Sequence, residues 1–379
     1  MYQDFLFELL TGKYYMGLEK VKLKNRCDTM RIQRELFLKV LESVSSGLAT
    51  RELIEQSSCF CFTEDGRVCT FNDELLASRE SPLKIVGAVN AKPLLALLSK
   101  MVEDDLDIEH VDGELIVKGT GRRSGIRMES EVSLPVEVVE MPANWRLLDP
   151  EFGDAVSIVC PCASAEESQF VLTCVHIHPD YVESCDRFQI VRYALKTGVA
   201  KSTLVRAESM KKILGLGMSE MSETDAWVHF RNSDGLVLSI RRYLDEYVSL
   251  DKFISAEGTT PFILPGGIEE AVAKAEIFSG DNVIGNKVLV DLRSDLFEIK
   301  GEGATGWYRE RKKVVYSGSP IQFLIAPRIL VEITKKSNEC GVSRDRLFVD
   351  GGKFKYATST SVVEEKKEKK SEKEMNVES

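Results

Sequence analysis

Three stretches of this chain share one pattern of apolar and polar positions. Each has an amphipathic segment with helical spacing, then two runs of strand character on either side of an Asp-Gly pair. They open at Val89 (VNAKPLLALLSKM, then LDIEHVDGELIVKG), at Val205 (VRAESMKKILGLG, then AWVHFRNSDGLVLSI) and at Leu324 (LIAPRILVEITKKS, then RLFVDGGKFKYA). Leu94, Met210 and Ile329 begin the apolar stripe of each predicted helix, and Leu98, Leu214 and Ile333 continue it, the i, i+4 spacing of one helical face. Asp112-Gly113, Asp234-Gly235 and Asp350-Gly351 mark hairpins, because glycine supplies positive φ without steric cost. The three turns are expected in register. A period of roughly 115–120 residues has the size of a domain, so the chain reads as three copies of one domain.

A more divergent helix-plus-strands pattern precedes each phrase. It comprises a helix over about 33–46 with SSCFCFTEDGRVCTF and a turn at Asp65-Gly66; a helix near 150–160 with strands in FVLTCVHIH and RFQIVRYAL; and IEEAVAKAEIF with strands in KVLVDLRSDLFEIKGEG and RKKVVYSG. Each domain is thus expected to hold two helices on two small antiparallel sheets, an α+β class. The expected divisions are a leader over 1–29, domains over 30–144, 145–256 and 257–361, and a tail over 362–379. The end of the tail, EEKKEKKSEKEMNVES, has too little apolar surface to offset its ordering entropy and is expected to be disordered.

Composition narrows the function. With 50 Lys+Arg against 60 Asp+Glu, the formal net charge is -10. A uniformly acidic surface repels phosphates, but net charge does not report where charges lie. No apolar run reaches the ~18–20 residues of a membrane span, so a cytoplasmic protein without membrane contact is expected. Nine Cys, an odd number, fit reduced thiols better than a disulfide framework.

From about Met30 to Ala357 the chain resembles the bacterial DNA polymerase III beta subunit, the sliding clamp, as a divergent member. The carriers are MRIQRELFLKVLESVSSGLATR, ending at Arg51; CVHIHPDYVESCDRFQIVRYAL, where the family's Asp-Gly-His-Arg-Leu signature stands as Ser184-Cys185-Asp186-Arg187-Phe188; and IEEAVAKAEIFSGDNVIGNKVLVDLRSDLFEIKGEG. The resemblance implies three sliding-clamp domains per chain and a head-to-tail homodimer ring. Twelve helices would line a hole for double-stranded DNA, bound without regard to sequence. It also implies a processivity factor that is not an enzyme and needs no cofactor, with a DNA polymerase and an ATP-driven clamp loader docking through short linear peptides.

Basic side chains on or beside the predicted helices permit a basic hole: Lys39, Lys92, Lys100, Arg206, Lys211, Lys212, Lys274, Arg328, Lys335 and Lys336. For any single one of these the alternative is an ordinary solvated face. Arg51 matches a family position that touches DNA. By resemblance, Arg187 and Phe188 stand at the partner-peptide pocket with Tyr356 and Ala357 as its facing wall. Ile126 and Met128 would meet Ile277 and Phe278 across the dimer interface, the alternative being that they belong to the core of their own domains.

The competing reading is a metal-dependent enzyme or redox protein. Cys174, His176 and His178 fall at i, i+2 and i+4 and would share one face of a strand, with Cys160, Cys162 and Cys185 as further thiols. There is no C-x-x-C pair to support zinc. Cys59, Cys61 and Cys69 are expected in the core. Gly301-Glu302-Gly303-Ala304-Thr305-Gly306 matches G-x-G-x-x-G but leads into strand-like WYRERKKVVY, which makes it a hairpin rather than a dinucleotide loop. No nucleophile elbow is present.

Overall fold

A computed structural model describes residues 29–279 and 287–362, without the side chains of 328, 329, 332, 336, 361 and 362. Residues 1–28 of the leader and nearly all of the tail lie outside the described residues. The succession strand, helix, four strands, helix, three strands occurs three times. Unit one is β1 (Met30–Gln33), α1 (Arg34–Val44), β2 (Cys59–Phe62), β3 (Arg67–Phe71), β4 (Leu75–Glu80), β5 (Gly87–Asn90), α2 (Ala91–Lys100), β6 (Asp105–Val111), β7 (Glu114–Gly119) and β8 (Arg122–Glu129). Unit two is β9 (Arg146–Leu147), α3 (Phe152–Val159), β10 (Cys174–His178), β11 (Tyr181–Cys185), β12 (Gln189–Ala194), β13 (Thr203–Arg206), α4 (Ala207–Met210), β14 (Met218–Glu223), β15 (Trp227–Asn232) and β16 (Val237–Tyr243). Unit three is β17 (Thr260–Ile263), α5 (Ile268–Glu276), β18 (Val288–Leu292), β19 (Leu296–Gly303), β20 (Gly306–Lys313), β21 (Ile321–Ile325), α6 (Pro327–Lys336), β22 (Glu339–Val342), β23 (Arg346–Asp350) and β24 (Phe354–Ser359), followed by β25 (Ser361–Val362).

Every pairing is antiparallel, and each unit builds the same two sheets. Unit one has β4-β3-β2-β5 and β1-β6-β7-β8. Unit two has β12-β11-β10-β13 and β9-β14-β15-β16. Unit three has β20-β19-β18-β21 and β17-β22-β23-β24. The units join edge to edge: β4 pairs β16, and β12 pairs β24. Each seam therefore fuses two four-stranded sheets into one of eight.

The helices lay their apolar stripes on these sheets. Phe37, Val40, Leu41 and Val44 of α1 are buried, as are Phe152, Ala155, Val156 and Val159 of α3 and Ile268, Ala271, Val272 and Ala275 of α5. Fully burying a side chain such as Phe37 is worth about 2–3 kcal/mol. The Asn90 side chain accepts from the Lys92 N–H and caps α2, while Pro327 opens α6, where its missing N–H costs nothing.

The helical phase holds with one exception. Leu94, Leu98, Met210 and Ile333 are buried, but Leu214 is 37% exposed and Ile213 is buried instead. After Met210 the chain tightens into a 3-10 turn over Lys211–Ile213, and Leu214 is already extended. Gly215 and Gly217, at φ of 76° and 63°, end the helix there. The Ile329 side chain is not described.

The hairpin register does not hold. Asp234-Gly235 and Asp350-Gly351 lie between the seventh and eighth strands of their units, but Asp112-Gly113 lies between the sixth and seventh, β6 and β7. Asp112 and Gly113 take φ of 51° and 77°, the geometry of a two-residue turn that suits Asp-Gly wherever it occurs. The strand expected across FVLTCVHIH begins only at Cys174, because Glu167–Thr173 forms 3-10 turns.

Candidate nucleic-acid interface and partner pocket

The predicted basic residues differ in exposure. Lys39, Lys92, Lys100, Lys212, Lys274 and Lys335 are exposed on or beside their helices. Lys274 has Glu310 at 3.7 Å, Lys211 is held by Glu208 at 2.5 Å, and Arg206 pairs with Glu167 while lying over the Phe170 ring. Lys211 in turn keeps the Glu208 carboxyl below its ordinary range. The side chains of Arg328 and Lys336 are not described. Arg51, carried by the loop after α1, lies on the same cavity as Arg206 and Lys212 from unit two, beside Ser46, Thr50 and Ser209. Asp73, Glu74 and Glu208 line the same cavity, so its three cations face three carboxylates.

The second site lies at the seam between units two and three. Asp186 turns the chain out of β11: its Oδ1 accepts from the N–H of Phe188 at 2.6 Å and of Gln189 at 2.8 Å, and its Oδ2 accepts from Gln189 Nε2. This Asx-type turn presents Arg187 and Phe188 to a cavity of about 460 Å³. Arg187 pairs with Glu166 at 3.2 Å. Phe188 stays 57% exposed, with Lys287 Nζ 4.8 Å above its ring. Its carbonyl accepts from the Ser359 N–H and the Thr358 hydroxyl, which ties it to β24. Ala357 lines the cavity. Tyr356 does not: it is buried below and donates to Gln189 Oε1 at 3.3 Å.

Sequence reasoning missed five apolar residues of this wall, Leu172, Ile190, Val248, Leu250 and Phe253. Val248 and Phe253 are 46% and 56% exposed. The available signal was the run Tyr247, Val248, Leu250 and Phe253 in a linker, of which Val248 and Phe253 remain exposed. Tyr247 anchors that linker: its hydroxyl accepts from the Cys185 N–H at 3.0 Å. Burial there drives its phenol upward.

The cysteine and histidine strand is engaged otherwise. Cys174 is buried, and burial pushes its thiol up to about 11, away from the thiolate that a metal needs. His176 Nδ1 meets Glu183 Oε1 at 2.7 Å and its ring stacks on Tyr247, while His178 stacks on Tyr181. No group of three His, Cys, Asp or Glu side chains able to hold a metal ion occurs among the described residues. Cys59, Cys61 and Cys69 are buried in one apolar cluster with Trp227.

Of the expected dimer residues, Met128 is buried at 5% within its own unit, Ile126 is half-buried on β8, and Ile277 is 73% exposed. Phe278 is half-buried against Gly306 at the start of β20. The G-x-G-x-x-G run closes the β19–β20 hairpin, with Gly303 paired to Gly306. Its glycines answer a packing demand: a Cβ at Gly301 or Gly303 would strike the carbonyl oxygen of Ala275 or Phe278. No helix among the described residues is long and apolar enough to cross a membrane.

No family model matches the chain, and no curated protein does. Solved structures do match. A putative DNA polymerase III beta subunit from Eubacterium rectale superposes with a TM-score of 0.73 at 15% identity, over 88% of this chain and 99% of that one. The beta chain of DNA polymerase III from Streptococcus pneumoniae gives 0.74 at 14%, over 87% and 98%. The beta subunit from Thermotoga maritima gives 0.71 at 14%, over 89% and 100%. Likeness at such identities is likeness of fold, and it spans the whole length of those proteins: this chain has the α+β, three-domain fold of the DNA polymerase III beta subunits, the sliding clamps.

Proposed function

We propose that this chain is a DNA polymerase processivity factor: a homodimeric ring that encircles duplex DNA and tethers the polymerase, catalysing no reaction itself. One observation carries the reading. In each unit the fourth strand and the eighth strand form opposite edges, and inside the chain they join in order, β4 to β16 and β12 to β24. Among the described residues this leaves one eighth strand, β8, and one fourth strand, β20, without such a partner. A second copy related by a two-fold axis supplies each with its complement, which closes six units into a ring with two identical seams. Open sheet edges are otherwise a liability for a soluble protein.

The rest of the surface agrees. Exposed lysines on the helices and the Arg51, Arg206, Lys212 cavity supply weak phosphate contacts, and a net charge of -10 keeps the outside from holding DNA by affinity. Ile126, Ile277 and Phe278 belong to the seam, whereas Met128 serves its own core. The pocket at Phe188 takes the anchor side chains of a Leu- and Phe-rich peptide from polymerase or loader. Such a protein works in the cytoplasm, where the replicating chromosome lies.

Retention on DNA tests the reading. Loaded on a nicked circle by the ATP-driven loader of its own replication system, the protein should remain at moderate salt and leave once the circle is linearised. Retention that survives linearisation would show binding by affinity rather than by encirclement.

A further inference from the structure

The two seams inside the chain share one register. At the first, Leu75, Leu76, Ala77 and Ser78 face Ile240, Ser239, Leu238 and Val237. At the second, Gln189, Ile190, Val191 and Arg192 face Thr358, Ala357, Tyr356 and Lys355. That register transfers to the two unpartnered edges. Val205 faces Arg242 in unit two and Val89 faces Met128 in unit one, so Ile126 holds the place of Ile240. In unit two Val205 faces Val175, and Ile177 leads through Val182 to Tyr193. In unit three Ile325 faces Val288, and Val290 leads through Ile299 to Glu310. Gly306 therefore holds the place of Gln189.

We infer that a second copy of this chain docks β8 on β20 with Gly306 facing Ile126, Trp307 facing Gly125, Tyr308 facing Ser124 and Arg309 facing Arg123, and that this seam repels itself electrostatically and tightens as salt is raised. The inference rests on the ring reading and adds its register and its sign. Trp307, 64% exposed on its own chain, packs over Gly125, a place it shares with the side chains of Glu114 and Ile116. That apolar contact and the ladder hydrogen bonds are insensitive to simple salt.

The charges oppose them. A like pair also stands at the second seam, Arg192 facing Lys355, but there Arg192 is bonded to Glu183 at 2.7 Å and to Asp251 at 2.8 Å. Asp251 comes from the segment joining units two and three. At the third seam Arg309 and Arg311 share one carboxylate, Glu298, at 3.3 and 2.5 Å. Arg123 lies across from Lys118 on β7, and Lys118 holds Glu109. Lys300, across from Arg309 on β19, holds Glu302, and Glu114 lies over Gly125 across from Arg127. On this face six cations thus meet around four carboxylates, an excess of positive charge. The opposite pair on the other face, Glu310 with Arg122, gives little relief, because Glu310 is held by Lys312 at 3.0 Å and Arg122 by Glu103 at 3.4 Å. Like charges directly opposed across strands are destabilising, and added salt screens them.

Sedimentation equilibrium of the full chain in NaCl from about 50 mM to about 500 mM reads the sign. The dimer dissociation constant should fall by up to about fivefold per seam, and so by up to about 25-fold for a ring with two seams. Arg123→Glu should dimerise more tightly than wild type at low salt and loosen as salt rises. Adding Arg309→Glu to it should restore repulsion and weaken the dimer at low salt. A wild-type dimer that loosens with salt, or an Arg123→Glu protein that dimerises less well at low salt, overturns the inference while leaving a ring in place. Monomers in every variant at every salt overturn the inference and the ring together.

Discussion

Two residues show how local chemistry sets measurable behaviour. Phe188 keeps its ring at the mouth of a cavity because Asp186 and β24 hold its backbone from both sides. Phe188→Ala should leave dimerisation unchanged and weaken binding of a Leu- and Phe-rich polymerase peptide by about 1–3 kcal/mol, read by fluorescence anisotropy; unchanged affinity would place the peptide elsewhere. His229 is fully buried on β15, between the hydroxyls of Ser239 and Thr224. Burial takes its imidazole down to about 4, from an ordinary value of 6.5. Because the folded value is depressed, the unfolded chain binds the proton first. The stabilisation is full above about pH 6.5 and is lost as pH falls toward 4, by at most about 3 kcal/mol. His229→Gln should flatten the fall in denaturation midpoint between pH 7 and pH 4.5, and a variant with the wild-type slope would assign that fall to other groups.

Elements explain what the sequence could and could not disclose. The stripes of α1, α2, α3 and α5 were legible because each repeats an apolar residue every turn over two turns or more. The second helix of unit two was not, since four residues of α-helix and a 3-10 turn leave too short a period to locate its end. Identical Asp-Gly dipeptides suggested one register for three hairpins. A dipeptide marks a turn's geometry and not its place in a sheet, and the first copy uses it one hairpin earlier. At the pocket, Arg187, Phe188 and Ala357 were found through resemblance, whereas Leu172, Val248, Leu250 and Phe253 come from aperiodic segments that only the fold assembles. The close crossing of α5 over β19 was equally hidden in a run that mimics a phosphate loop. Gly301→Ala would force a methyl into the Ala275 carbonyl and should destabilise unit three by about 3 kcal/mol or more, seen as an early unfolding transition in urea. Two residues beyond Ala275, at the same end of α5, Ile277 is exposed, so Ile277→Asp should fold normally yet dimerise poorly. A variant as dimeric as wild type would remove α5 from the seam.

At the scale of the molecule, three copies of one unit account for both its reach and its incompleteness. Two internal seams build two eight-stranded sheets and leave two four-stranded sheets, β1-β6-β7-β8 and β21-β18-β19-β20, whose edges β8 and β20 have no such partner among the described residues. Exposed lysines on helices and a cavity shared by Arg51, Arg206 and Lys212 suit the proposed ring, whose hold on DNA would be topological. Strand complementarity makes the central claim one of stoichiometry. Sedimentation velocity of the full chain at micromolar concentration, in NaCl of about 300 mM, where the seam charges are screened, measures it directly. The account predicts a single species of twice the 42.5 kDa chain mass. A species of one chain mass that persists as concentration and salt are raised would contradict it.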